Sequence, residues 1–376
     1  MTVASQPRTR PRVGDEHAIA LLEEIVSIPS LSTAERPCVD RLVSRMQCLG
    51  LRSFVDESGS AIGLIGDETP DATEIALLGH IDTVPGDIPV RREGDLLFGR
   101  GTVDAKGPLI AFAVAAARAD LPAGVRLRVI GAVEEEAATS KGARFAAAHY
   151  HPRACIIGEP SGLCGITLGY KGRLIARVGI QTDSSHSAGP EPTAAELAVG
   201  LWNQIDGWCR QHSADKPGAF DHIQGRLRAI RSTSDGLHDR VEMTLGFRLP
   251  PGVEPRQIEQ ACRRFADIGH GALVHWEFSG QEVAHMADRN NPVARAIANA
   301  LRAQGHTPVP KRKTGTSDMN VVGPIWNCPI VAYGPGDSSL DHTPNEHVSV
   351  NEFLSSIRVL TSALELLARE LLAQPH

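Results

Sequence analysis

Four short, almost entirely apolar runs, interspersed with helical stretches, constrain the fold of this 376-residue chain more than any other feature. The helical stretches cover 107–120 and 141–150. A strand without polar alternation is buried on both faces, which is typical of a parallel sheet covered by helices. The pattern therefore predicts an α/β domain with a mostly parallel mixed sheet flanked by helices. The apolar runs are AIGLIG at 61–66, EIALLGH at 74–80, RLRVIGAV at 126–133 and RACIIGE at 153–159.

The pattern changes near residue 170. Three stretches now alternate apolar and polar residues, as half-exposed strands do, and two amphipathic helices separate them. This block predicts an α+β unit with an antiparallel sheet. After this block the chain returns to the first pattern, in which an apolar run follows a helical stretch. A final helix is predicted from about 350 to 373. We therefore predict a discontinuous catalytic domain of residues 1–169 and 284–376, interrupted by an inserted domain of residues 170–283.

Composition and charge argue against several classes of protein. A net charge of −6 and a pI near 6.2 do not suggest a nucleic-acid partner. The seven cysteines are scattered without a Cys-x-x-Cys pair, which argues against disulfides and a thiolate zinc site, and favours the cytoplasm. The N-terminus MTVASQPRTRPRV lacks the apolar run of a secretory signal, so we expect a frayed tail. No apolar stretch reaches the ~18 residues of a membrane span.

Histidines and acidic residues stand where several of the apolar runs end. In open α/β sheets, functional side chains collect at the carboxyl ends of the strands, so these positions are candidates for a shared site. One further candidate precedes a helix and another lies in a late loop. In chain order they are His80, Asp82, Asp104, the triplet Glu134-Glu135-Glu136, Glu159 and His342.

Each candidate alone has a plainer explanation. His80 and Asp82 could close a surface turn, and Asp104 could be the N-cap of the next helix. The acidic triplet could be a solvated turn. Together, two histidines and several carboxylates suit two divalent ions bridged by one carboxylate, an arrangement used for hydrolysis. Nitrogen and oxygen ligands without thiolate favour zinc, with cobalt or manganese able to substitute.

The motifs that carry these residues resemble a known family. GHIDTVP, GRGTVDAKG, the acidic triplet, GEPSG and LDHTPNE occur in order along the whole chain. They resemble the dinuclear zinc aminoacylase/carboxypeptidase family, which includes acetylornithine deacetylase, succinyl-diaminopimelate desuccinylase and carboxypeptidase G. GYKGRL, KTGTSDMN and YGPGDSSLDHTPNEH resemble more closely the hydrolases of bacterial lysine biosynthesis. Those enzymes release lysine or ornithine from the C-terminal glutamate γ-carboxyl of a small acidic amino-group carrier protein.

The resemblance implies a set of metal ligands. His80, Asp104 and Glu159 would hold one ion. Asp104 would bridge to a second ion that Glu136 and His342 also hold. The resemblance also implies the zinc-peptidase-like fold, with an inserted lid and dimerisation domain, and a homodimer.

The resemblance implies roles for two neighbouring acids as well. Asp82 would orient His80, and Glu135 would be the general base that activates the attacking water and later protonates the leaving amine. The family usually has Asp-Glu-Glu where this chain has three glutamates, so Glu134 is the alternative base.

Further candidates lie in or near the predicted inserted domain. The resemblance implies that His186 reaches the partner subunit's active site and stabilises the oxyanion, whereas the sequence alone favours an ordinary loop histidine. Arg248 and the loop residues Gly315, Thr316 and Ser317 are candidates for holding a substrate carboxylate, which arginine binds through two hydrogen bonds. Arg248 could equally be an exposed strand residue. The basic cluster 311–313 would attract an acidic carrier protein, or is a solvated turn.

Three functions remain open at this point. The first is a metal-dependent amide hydrolase that releases lysine or ornithine from the carrier protein. The second is a small-molecule N-acyl-amino-acid deacylase, such as acetylornithine deacetylase, or a dipeptidase on the same scaffold. The third is a non-catalytic binding protein, against which the complete ligand set argues.

Overall fold

The computed structural model describes residues 13–186 and 188–373, so most of the basic N-terminal tail lies outside the described residues. The chain divides into two compact units. The first unit contains the chain up to Leu168, Ala287–Lys311 and the chain from Val321 onward. The second unit contains Gly169–Met286 and Arg312–Asn320. The predicted inserted domain ended at 283, and the prediction placed the short segment 312–320 outside it.

The helices alternate with strands over most of the chain. They are α1 (Asp15–Val26), α2 (Arg36–Cys48), α3 (Lys106–Arg118), α4 (Lys141–His149), α5 (Ala194–Ser213), α6 (Pro255–Arg264), α7 (Pro292–Ala303), α8 (Asp318–Trp326) and α9 (Val350–Ala373). No helix in the described ranges is both long enough and apolar enough to span a lipid bilayer.

The strands belong to three sheets. They are β1 (Arg52–Val55), β2 (Ala61–Gly66), β3 (Thr73–His80), β4 (Arg91–Glu93), β5 (Leu96–Phe98), β6 (Val125–Ala132), β7 (Ala154–Gly158), β8 (Gly165–Tyr170), β9 (Gly172–Asp183), β10 (Gln224–Ser234), β11 (His238–Leu249), β12 (Leu273–Glu282), β13 (His285–Met286), β14 (Val309–Lys313), β15 (Ile330–Ala332) and β16 (His347–Ser349).

The main sheet of the first unit runs in the order β1-β2-β6-β3-β7-β15-β8. Its central pairs, β6–β3, β3–β7 and β7–β15, are parallel, whereas its outer pairs are antiparallel. Every residue of β3 and β7 is buried, as their apolar sequences predict. The α3 helix is buried from Lys106 to Ala117 and belongs to the same core. The predicted fold class is therefore confirmed.

A partly buried charge cluster accounts for two arginines in a central strand. Arg126 and Arg128 lie on β6, and both donate to the Glu74 carboxylate on the neighbouring β3, at 2.8 and 2.7 Å. An unpaired Glu74 carboxylate at this buried position would carry a large desolvation cost. The two arginines offset that cost by forming ion pairs with it. The strand β6 therefore keeps its central position despite its two arginines.

The second unit contains a four-stranded antiparallel sheet in the order β10-β11-β9-β12. Alternate residues of β9 and β11 are buried and share a core with α5 and α6, which cover one face. The α5 helix begins with a capping box in which the Thr193 and Glu196 side chains satisfy free backbone N–H groups. The sequence predicted three strands here. It missed β10, because most of this edge strand is exposed and has no clear apolar alternation.

Candidate active site

His80 ends β3 and is buried with its two ring nitrogens facing opposite ways. Its Nδ1 lies 2.9 Å from the Asp82 carbonyl oxygen and 3.5 Å from the Asp82 carboxylate. Its Nε2 lies 3.1 Å from Asp104 and 4.0 Å from Glu159, which directly follows β7. A contact at Nδ1 fixes the ring, so that Nε2 is left to face the two carboxylates.

The Asp82 carboxylate also organises the acidic triplet. It is fully buried and accepts hydrogen bonds from the backbone N–H groups of Glu135 and Glu136, both at 3.0 Å. The Ser32 hydroxyl donates to it at 2.7 Å. Asp82 therefore connects the end of β3 to the turn that follows β6, and fixes the backbone of both glutamates.

A glycine-dependent turn presents Asp104 just before α3. The N–H of Gly107 donates to the carbonyl of Gly101 at 3.2 Å, so the chain folds back on itself. A Cβ at Gly107 would lie 2.2 Å from the Thr102 carbonyl oxygen, which is closer than any side chain allows. Gly101 has a φ of 88°, a conformation that glycine adopts without strain. The GRGTVDAKG motif therefore contains glycines for steric reasons.

Asp104 lies between the two histidines. Its Oδ1 faces His80, and its Oδ2 lies 3.0 Å from Nε2 of His342. The same His342 nitrogen lies 2.9 Å from Glu136 Oε1. Two groups of potential ligands contain Asp104, namely His80-Asp104-Glu159 and Asp104-Glu136-His342, with donor atoms within 4.8 Å of one another in each group. Sharing one carboxylate between two groups is the arrangement that a bridged pair of cations requires.

The electrostatics of the cluster favour added positive charge. Burial opposes ionisation of Asp104, but hydrogen bonds from His342 and His80 outweigh it and hold the pKa of Asp104 below its usual value. Hydrogen bonds to Asp104 and Glu136 raise the pKa of His342 to about 10. Burial raises the pKa of Glu136. The carboxylates thus stabilise positive charge on the two imidazoles. Divalent cations would supply positive charge to the same carboxylates in place of those protons.

The geometry distinguishes the first two glutamates of the triplet. The Glu134 carboxylate accepts a hydrogen bond from the Thr139 hydroxyl at 2.6 Å and lies 3.9 Å from Lys141 Nζ. The Glu135 carboxylate instead forms a potential ligand group with His80 and Glu136. Of the two alternatives for the general base, Glu135 is the one whose carboxylate belongs to a potential ligand group with His80.

Glu346 is a residue that the sequence analysis did not include in the site. It is fully buried, and its Oε1 accepts the backbone N–H groups of Gly101, Val103 and Asp104 at 2.9 to 3.1 Å. Its Oε2 accepts a hydrogen bond from Arg100 at 2.7 Å. Glu346 thereby connects the turn of Asp104 to the loop of His342. In the sequence, only its position four residues after His342 indicated that Glu346 could lie near the site.

We expect Glu346→Gln to weaken metal binding by about 10- to 100-fold, as loss of a group that orients ligands typically does. The free energy of unfolding of the metal-free protein should fall by about 3 kcal/mol, because Arg100 loses its buried partner. Metal titration and urea denaturation measure the two effects. Glu93→Gln is the matched control, since its pair with Arg91 is exposed and should contribute less than about 1 kcal/mol. Equal effects of both variants would contradict a positioning role for Glu346.

In the second unit, the structure brings Arg248 together with the 315–317 loop. Arg248 on β11 donates to the Thr316 hydroxyl, and that hydroxyl lies 3.4 Å from the Lys171 carbonyl oxygen. Lys171 is buried, and its Nζ donates to the Ala219 carbonyl at 3.0 Å. Burial and the nearby Arg248 charge lower the pKa of Lys171 to about 8. Ser317 is buried in the same loop, and Gly315 is half-buried there.

The remaining candidates of the sequence analysis lie elsewhere. His186 is in an exposed loop of the second unit, where its Nδ1 accepts the N–H of Ala188 at 3.1 Å. The basic cluster 311–313 is engaged locally. Lys311 donates to the Ser161 carbonyl at 2.6 Å, and the other two side chains lie 5.0 and 6.0 Å from the centres of aromatic rings.

Sequence comparison finds relatives that match nearly the whole chain. Residues 76–366 match the family described as Peptidase family M20/M25/M40. The LysW-lysine hydrolase of Deinococcus radiodurans is 45% identical over 94% of this chain and 98% of its own. The LysW-lysine/LysW-ornithine hydrolase of Sulfurisphaera tokodaii is 31% identical over 92% of this chain and 94% of its own.

Solved structures show the same fold at low sequence identity. The M20 family metallo-carboxypeptidase Sso-CP2 of Sulfolobus solfataricus has a TM-score of 0.75 at 17% identity, covering 94% of this chain and 99% of its own. The YXEP protein of Bacillus subtilis, a dinuclear metal-binding peptidase of the M20 family, has a TM-score of 0.68 at 15% identity, covering 96% and 99%.

Proposed function

The chain belongs to the M20/M25/M40 peptidase family, and we propose that it releases lysine or ornithine from a carrier protein, LysW, by hydrolysing an amide bond. The bond is the one between the γ-carboxyl of the carrier's C-terminal glutamate and the α-amino group of the amino acid. Similarity to LysW-lysine hydrolase over 94% of the chain supports this substrate. The free state of all seven cysteines supports a cytoplasmic location.

The reaction class rests on one observation, the sharing of Asp104 between two ligand groups. His80 and Glu159 complete one group, and Glu136 and His342 complete the other. Two divalent cations bound there, in our proposal zinc, would polarise the scissile carbonyl and lower the pKa of the attacking water. The donor atoms of these two groups are nitrogen and oxygen, and none is sulfur. Cobalt or manganese would therefore also fit the site.

The residues around this centre would transfer the proton, position the base and bind the substrate. Glu135 takes the proton from the attacking water and passes it to the leaving α-amino group, which is general acid–base catalysis. Asp82 holds the backbone of Glu135 through its hydrogen bond, so the carboxylate stays close to the reacting atoms. We assign Arg248 and the 315–317 loop to a substrate carboxylate, and His186 to the oxyanion across a homodimer, the last on the resemblance alone.

A direct comparison of two substrates tests this function. We expect the metal-loaded protein to release lysine from lysine-loaded LysW with a kcat/KM at least about 100-fold above that for N-acetylornithine. The reason is that only the first substrate offers a protein surface in addition to the scissile amide, and this adds binding energy. Quantification of free amino acid by mass spectrometry measures both rates. Preference for N-acetylornithine would instead identify a small-molecule deacylase.

A further inference from the structure

One face of the four-stranded sheet in the second unit is lined with arginines. The opposite face packs on α5 and α6 through residues such as Val178, Leu245 and Trp276. Because side chains alternate along a strand, their neighbours in sequence point to the other face. The pairing register aligns these outward positions in rows across the sheet. Over the four strands that form this sheet, the arginines outnumber the acids, and there is no lysine.

Four of these arginines form a contiguous group near the β10 edge. Arg226 lies opposite Gly246, and Arg231 lies opposite Glu242. Arg177 on β9 pairs with Thr244 of β11, whose other neighbour is Ala229 of β10. Adjacent strands are about 4.8 Å apart, so the flexible side chains of this group reach one common surface.

A bulge places the fourth arginine, Arg228, on the same face. The β10–β11 register shifts between Leu227 and Ala229, and Arg228 is the extra residue. Its Cδ lies 2.9 Å from the position that a Cβ of Gly246 would occupy. The missing side chain of Gly246 therefore makes room for Arg228 to lie across the outward face.

The four arginines are exposed and have no ion pair or side-chain hydrogen bond within residues 13–186 and 188–373. Glu242 and Glu277 are the acids opposite Arg231 and Arg177, and neither forms an ion pair with them. Arg240, farther along β11, differs because Asp235 neutralises it at 2.7 Å. With four arginines and only these two acids beside them, the group carries a net positive charge on a chain whose net charge is negative.

We propose that these four residues, Arg177, Arg226, Arg228 and Arg231, form a docking surface for an acidic protein, the carrier itself. This inference rests on the proposed function and identifies where the partner binds. Guanidinium groups bind carboxylates through paired hydrogen bonds and are more weakly hydrated than ammonium groups, which suits a protein interface. The basic cluster 311–313 is a weaker candidate, since its side chains already have local partners.

The face suits an acidic protein better than a nucleic acid. Its outward positions contain no phenylalanine, tyrosine or tryptophan, so there is no platform on which bases could stack. The acids Glu242 and Glu277 interrupt the positive charge. Mixed charge of this kind fixes the orientation of a protein partner and would repel a continuous phosphate backbone.

The test replaces the three arginines of one strand, Arg226→Gln, Arg228→Gln and Arg231→Gln, in the full-length metal-loaded protein. We expect KM for lysine-loaded carrier to rise about tenfold or more, while kcat stays within about twofold, because the surface acts on encounter and binding. The KM of the parent protein should also rise with NaCl between 50 and 300 mM, and that of the variant less steeply. Circular dichroism and metal content verify that the variant is folded.

The matched control removes the same charge elsewhere in the unit, through Arg210→Gln, Arg256→Gln and Arg264→Gln on α5 and α6. It should leave KM unchanged. An unchanged KM in the β10 variant, or an equal rise in the control, overturns the docking surface while leaving the proposed function intact. No turnover of loaded carrier by the parent protein overturns the proposed function instead. Tighter binding of a single-stranded RNA oligonucleotide than of unloaded carrier, lost in the β10 variant, also overturns the proposal.

Discussion

Glu135→Gln should lower kcat for lysine-loaded carrier about a thousandfold or more while both metal ions stay bound. The side chain keeps its size and its backbone hydrogen bond to Asp82, since that bond is made by the N–H group. It loses only the ability to accept a proton from the attacking water. General acid–base catalysis is typically worth about 10²- to 10⁴-fold in rate, and Glu135 supplies both the acid and the base step.

The measurement combines steady-state kinetics with metal analysis of the same preparation. Glu134→Gln is the matched control, because its carboxylate faces Thr139 and Lys141 and has no assigned proton transfer. We expect that variant to keep kcat within about tenfold. If Glu134→Gln loses turnover and Glu135→Gln does not, the base is Glu134 and the register of the triplet has been misread.

The meeting of several candidates could be predicted from the order of the strands. The neighbours β6, β3 and β7 are parallel, so their carboxyl ends lie at one edge of the sheet. His80 is the last residue of β3, and Glu136 and Glu159 come after the ends of β6 and β7. Short apolar runs that are bounded by turn residues are consistent with such buried strands. The local sequence pattern was therefore sufficient to predict that these three residues lie close together, because a parallel sheet places the carboxyl ends of its strands at one edge.

Other contacts could not be predicted because they join loops that are remote in sequence. Glu346 accepts the N–H of Asp104 across 242 positions of the chain, and no periodicity specifies that pairing. His342 meets Glu136 across 206 positions in the same way. For His342 only the family resemblance predicted the partner. The edge strand β10 was missed for a different reason, since an exposed strand needs no apolar alternation.

Asp104→Asn should remove metal from both halves of the centre at once. Asp104 is the one residue common to the two ligand groups, with one oxygen facing each histidine. An amide keeps the size of the side chain but offers a single neutral oxygen, so it bridges two cations poorly. We expect fewer than one ion per chain after gel filtration. We also expect kcat to fall by about 10³-fold or more, because loss of metal raises the barrier by several kcal/mol.

His342→Ala is the comparison that makes this result specific. It removes one ligand from the second group and leaves His80, Asp104 and Glu159 in place, so one ion should remain. Elemental analysis of the two variants and the parent protein then gives three different metal contents, independent of any activity assay. Retention of two ions by Asp104→Asn would show that this carboxylate does not bridge. A similar loss in both variants would show that the two ions bind only as a pair, and that the groups cannot be filled separately.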